Sequence, residues 1–138
     1  MDEKKLDRFN VIVLGIIFDP KEKKILIGRR ENDPYVSDLK WSPPGGSLTQ
    51  GKDLEESLKI KIKEQTGYNI ENLGNIFAMI PEEKKNFILL LYLCEVTGGE
   101  EKIGGNLKEL KWVYPEDLDN YFNIAYHPHL REYILNLK

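Results

Sequence analysis

Between Gly45 and Gly67 the chain spaces its glycines and charged side chains in a way that suits phosphate chemistry. Gly45 and Gly46 follow two prolines, and paired glycines let a backbone turn sharply and approach a phosphate where side chains would clash. Structural turn duty would also explain both. Asp53 is placed to cap a helix running to about Thr66, in which Leu54, Leu58 and Ile62 recur at i, i+4 and i+8 as one core-facing stripe. At about 100° per residue, Lys61, Glu64 and Gln65 share roughly one side of that helix. Glu64 can ligate a divalent cation there, or serve as a solvated helix carboxylate. The helix start adds a positive dipole end, separated from a ligand by the loop before it. Arg29 and Arg30 end a β-rich run, and alternation along a strand sends one toward the cleft and the other outward. Either arginine could contact phosphate or serve a plain surface role.

These residues need a scaffold, and the sequence outlines one. Asn10–Phe18 and Lys24–Arg29 read as a hairpin joined by Asp19-Pro20-Lys21-Glu22-Lys23. A polar stretch, Glu31–Lys40, precedes a short extended piece at Trp41. Pro43-Pro44-Gly45-Gly46 breaks the chain before the helix, and Gly67 stops it. Strands are predicted at Ile70–Ile80 and Asn86–Val96 around the charged turn Pro81–Lys85. The unbroken apolar run Phe87–Leu93 predicts a central strand covered on both faces. Gly98–Asn106 reads as a loop, Leu107–Tyr114 as a strand, Pro115 as the start of a short helix, and His129–Leu137 as a last amphipathic helix. The order β-β-(β)-α-β-β-β-α-α specifies a mixed sheet with flanking helices.

The 138 residues suit one domain spanning 1–138 with a real core. An apolar fraction of 41% beside 31% charged residues is ordinary for a globular chain, and a net charge of −3 gives no support for nucleic-acid or membrane binding. The lone Cys94 fits a reducing compartment and reads as a buried structural thiol. No apolar run is long enough to span a bilayer, and residues 1–8 are too charged for a signal peptide, so the expected location is cytoplasmic. His127 and His129 flank Pro128 without a neighbouring cysteine and do not make a zinc site by spacing. There is no Walker loop, nucleophile elbow or paired CxxC.

The segment from Gly46 to Tyr68 resembles the Nudix box, G-x5-E-x7-R-E-U-x-E-E-x-G-U with U a bulky apolar residue, and fits it without a gap. Gly46 opens the box, Ile62 holds the inner apolar position, Glu64 the first of the paired acids and Gly67 the closing glycine. Lys52, Ile60, Lys61 and Gln65 stand where the family has Glu, Arg, Glu and Glu. The resemblance continues outside the box, in Ile25–Arg30, in Trp41 followed by Pro44-Gly45-Gly46, and in Glu109–Val113 followed by Pro115–Leu118. It implies an α/β/α sandwich around a mixed sheet.

The implied activity is hydrolysis of nucleoside diphosphate-linked compounds with Mg²⁺ or Mn²⁺ held by the box acids. Here the four acid positions hold two lysines, one glutamate and one glutamine, a net +1 in place of −4. The metal cluster is therefore expected to be absent and the hydrolysis weak or lost. Glu64 is the one box acid left as a catalytic or metal-binding residue. Lys52 and Lys61, as ammonium groups at metal-binding positions, could contact a diphosphate directly. Glu82, Glu83, Glu109 and Glu116 could replace missing acids, since neighbouring loops in the family sometimes hold the catalytic base; each also reads as a turn carboxylate. Trp41, Phe77, Tyr92 and Tyr126 could stack a base or belong to the core. The expected partner is a nucleotide or phosphorylated small molecule, and because many family members dimerise, a homodimer stays open. The rival readings are a non-catalytic binding module and an interaction scaffold.

Overall fold

The computed structural model describes residues 9–31, 40–81, 85–122 and 127–137. Strands β1 (Asn10–Asp19), β2 (Lys24–Arg30), β3 (Trp41–Ser42), β4 (Gly45–Ser47), β5 (Tyr68–Met79), β6 (Phe87–Gly99) and β7 (Leu107–Val113) form one seven-stranded mixed sheet. Helix α1 (Leu54–Thr66) lies between β4 and β5 in the chain, and a 3-10 helix (Pro115–Asn120) and α2 (Pro128–Leu135) follow β7. The predicted element order holds with one addition, the short strand β4 at Gly45–Ser47, where only a break in the chain was expected. β6 runs on to Gly99, into the segment expected to be loop, because it keeps pairing with β5 as far as Tyr68↔Gly99.

β6 lies between β5, its antiparallel neighbour, and β1, which it pairs in parallel from Asn10↔Phe87 to Ile17↔Cys94. Both faces of this strand are covered, as its apolar run predicts. On one face Val13, Ile17, Leu26, Tyr92 and Cys94 pack with Leu58 and Ile62 of α1. On the other, Ile16, Ile25, Ile27, Leu91 and Val113 pack with Leu118 of the 3-10 helix and Leu130 and Ile134 of α2. The layers are helix, sheet, helix.

β1 and β2 pair over only three residues, Ile17↔Leu26 to Asp19↔Lys24, and then part. β4 pairs β1 at Ile12–Leu14, while β3 pairs β2 at Gly28 and Arg29. Pro43 and Pro44 bridge β3 and β4, and neither has an N–H to leave unpaired in the gap. This fork in the sheet sets the position of the candidate site.

Asp53 caps α1 by accepting from the Glu56 N–H at 2.8 Å, and Gly67 ends it at φ 80°, donating its N–H to the Lys63 carbonyl. The buried stripe differs from the expected one. Leu58 and Ile62 are fully buried, Leu54 is 39% exposed, and Gln65 and Thr66 complete the inner face. Leu54 is the first residue of the helix, and the buried face begins only at Ser57. No described helix is long and apolar enough to cross a membrane.

The two leucines give a direct test. Leu58→Ala should cost about 2–5 kcal/mol in urea unfolding, and Leu54→Ala less than about 0.5 kcal/mol; similar losses would contradict this placement of the helix. Cys94 gives a second. It is fully buried, and desolvation pushes its thiol up to about 12. Above the unfolded thiol's pKa of about 8.5 the unfolded chain ionises and the folded chain does not, so this group makes stability fall as pH rises. A native protein that reacts with a thiol reagent at pH 8 as fast as the urea-unfolded one would refute the burial.

Candidate functional site

The Pro-Pro-Gly-Gly segment enters β4 at Gly45, whose φ of 139° and surroundings admit no side chain. A Cβ there would lie 2.1 Å from the Val13 carbonyl oxygen. Around Gly45 the fork closes on a buried set of hydrogen bonds. Gln65 of α1 faces the glycine with its whole carboxamide: Oε1 accepts from the Gly45 N–H at 2.9 Å, and Nε2 donates to the Gly45 carbonyl at 2.8 Å. Arg30, 6% exposed, donates Nε to Ser42 Oγ at 2.9 Å and Nη2 to the same Gly45 carbonyl at 3.1 Å. Asn106 Oδ1 accepts from Arg30 Nη1 and from Gln65 Nε2, each at 3.4 Å. A buried knot thus ties β2, β3, β4 and α1, and the exposed Asn106 extends it through longer, part-buried bonds to the segment entering β7.

Lys61, one turn before Gln65, lies with its stem along Gly46. It is half-buried and forms no ion pair among the described residues. Glu64 is exposed on the same helix, and no group of three His, Cys, Asp or Glu side chains able to hold a metal ion occurs among the described residues.

The remaining candidates are drawn elsewhere. Lys52, in the loop just before the Asp53 cap, is exposed and sits 3.8 Å from the exposed Glu56. Arg29 is bound by Glu31 at 2.9 Å and Glu109 at 3.1 Å, and these two carboxylates raise its pKa further. Glu109 is therefore a strand residue facing Arg29 across β2 and β7. Glu116 is exposed in the first turn of the 3-10 helix. Glu82, Glu83 and Tyr126 lie outside the described residues. Trp41 packs edge-on against Tyr121, with centroids 5.4 Å apart, and Tyr92 is 8% exposed in the α1-side core. Phe77 makes a tilted ring contact, centroids 4.9 Å apart, with His127, which caps α2 by accepting the His129 N–H at Nδ1.

Residues 8–136 match the profile of the NUDIX domain. The chain belongs to the Nudix family. It is 30% identical over 119 residues to an ADP-ribose pyrophosphatase of Methanocaldococcus jannaschii, a match covering 84% of this chain and 66% of that protein, just under two thirds of its length. It is 33% identical over 117 residues to an 8-oxo-dGTP diphosphatase of Buchnera aphidicola, covering 84% and 85%. A Nudix hydrolase structure from Nitrosomonas europaea superposes with a TM-score of 0.76 at 19% identity, over 94% of this chain and 72% of that one. A MutT protein structure from Methanosarcina mazei does so at 0.68 and 19%, over 93% and 91%. These two superpositions support the α/β/α sandwich.

Nudix hydrolases generally use divalent metals such as Mg²⁺ or Mn²⁺. The described donor set of this member does not fit one. Mg²⁺ takes a near-octahedral shell of oxygens, with carboxylates among them. At the last acid position of the box, Gln65 offers one oxygen, already accepting from Gly45, and a nitrogen that only donates. Both lone pairs of the Gly45 carbonyl receive donors, Gln65 Nε2 and Arg30 Nη2. Glu64 beside Gln65 is a single exposed carboxylate, and Lys61 brings a positive charge to the acid position one turn back.

The sequence sent Arg29 and Arg30 to opposite faces by strand alternation, whereas the β2–β7 register shifts between them, with Arg30 buried and Arg29 paired to Glu31 and Glu109. It did not reveal the knot, because Ser42 and Asn106 carry no local signal and Gln65 looked only like a lost acid. Gln65→Leu leaves the Gly45 N–H without its acceptor and should lower unfolding stability by about 1–3 kcal/mol. A change below about 0.5 kcal/mol in a urea titration would show that the knot does not hold β4.

Proposed function

We propose that this protein binds nucleoside diphosphate-linked compounds and that its metal-dependent pyrophosphohydrolysis is weak or lost. Family membership supports the ligand class. The relatives named above act on ADP-ribose and 8-oxo-dGTP, and a further relative of 27% identity, from Escherichia coli, is a nucleoside triphosphatase. These substrates share a phosphoanhydride attached to a nucleoside.

The observation that carries the loss of hydrolysis is the engagement of Gln65 with Gly45 through both its oxygen and its nitrogen. A carboxylate at that position would present two acceptors, whereas the amide presents a donor to a carbonyl and thereby knits the backbone together. Losing one preorganised charge contact can cost about 2.7–4 kcal/mol of transition-state stabilisation. Three of the four box acids are replaced. Glu64 remains exposed, without the neighbouring carboxylates a metal would need among the described residues. Recognition without efficient cleavage is the reading these features favour.

A panel of ADP-ribose, dinucleoside polyphosphates, nucleoside triphosphates and nucleotide sugars, incubated with Mg²⁺ or Mn²⁺ and read by mass spectrometry, tests the loss. The expected result is little or no metal-dependent turnover of any panel member. Robust metal-dependent cleavage would overturn it, and its loss in Glu64→Gln would assign the working site to the remaining box acid.

A further inference from the structure

The two glycines of the cleft do different work. Gly45 is required by the backbone, as its φ and the Val13 carbonyl show. Gly46 is not. Its φ lies outside the left-handed region, and a Cβ built on it would meet only the Lys61 stem, at 3.7 Å from Cδ and 4.0 Å from Cε, an ordinary contact. Neither fold nor packing demands a glycine at 46. The missing side chain leaves bare backbone beside the last carbons of a lysine whose ammonium has no acidic partner among the described residues.

The other basic candidates are committed differently: Lys52 to Glu56, Arg29 to Glu31 and Glu109, and Arg30 to the buried knot. We propose that Lys61 and the bare backbone at Gly46 form a metal-free site for the diphosphate group, with the ammonium as its built-in cation. This deepens the functional reading above and rests on it. An ammonium is a compact point charge with three donors, suited to bridging phosphate oxygens without fixed coordination geometry. The last carbons of the stem run beside the place a Gly46 Cβ would occupy, so the ammonium extends from the edge of that bare backbone. A dication at the same place would meet this charge as a repulsion, so anion binding by Lys61 and metal binding by its neighbours exclude each other. Position 61 therefore sets the sign of charge the cleft accepts. Glu64 is one turn along the same face, so a carboxylate at 61 would give the helix an i, i+3 acid pair.

The test uses the full chain in EDTA, with inorganic pyrophosphate and ADP-ribose as separate probes in calorimetry. Lys61→Met keeps the stem on Gly46 and removes only the charge, and Gly46→Ala fills the bare backbone; thermal melts of both variants verify folding. The expected result is metal-free binding of ADP-ribose that weakens at least tenfold in Lys61→Met and measurably in Gly46→Ala. Pyrophosphate binding alongside it would show that the diphosphate suffices; ADP-ribose binding alone would show that the nucleoside adds to the same Lys61-dependent site. Lys61→Glu should abolish binding of both probes and raise Mn²⁺ affinity, read by electron paramagnetic resonance. Binding that appears only with Mg²⁺, or that is unchanged in folded Lys61→Met, overturns the Lys61 site and leaves the wider functional reading standing. No binding of either probe, with or without metal, overturns both.

Discussion

The structure around the cleft depends on how the chain fills the fork between β1 and β2. Two strands that pair for three residues and then part expose polar backbone on their facing edges, and unpaired buried groups of that kind are costly. β3 and β4 take up those edges, and the point between them is closed by side chains. Gln65 and Arg30 converge on one glycine there, and each of their short hydrogen bonds is made in a place largely closed to water. The positions of β4, of α1 and of the segment entering β7 all follow from that closure.

The same closure explains why fold and chemistry can separate in this chain. A carboxylate at 65 would set an acceptor against the Gly45 carbonyl, an arrangement that calls for a cation between them. An amide satisfies the backbone directly. The fold is thereby completed by neutral and positively charged donors within the chain. That leaves Glu64 as the one acid on the helix face from Lys61 to Gln65, offset by the Lys61 ammonium.

The periodic features were legible from residue order. The helix bounded by Asp53 and Gly67, the doubly covered strand within Phe87–Val96 and the hairpin at Asp19–Lys23 all rest on caps, turns and hydrophobic runs, which are local. Leu54 departs from its expected burial because periodicity tells which side of a helix a residue occupies, not whether the sheet extends beneath it. Lys52 and Lys61 looked alike as lysines at acid positions. Only the fold separates them, one beside Glu56 on an exposed turn and the other along the backbone of Gly46.

By itself the sequence determined the family frame, the sandwich and the replacement of three box acids, since residue type and spacing along one chain carry that information. Tertiary structure decided what the replacements do. Gln65 became a clasp because β4 passes within hydrogen-bond reach of α1, and Arg30 became buried because Ser42 and Gly45 surround it. Arg29, its neighbour in sequence, was drawn to Glu109 from 80 residues away. Such roles depend on which partners lie within about 3 Å, and that distance is set by packing between elements far apart in the chain.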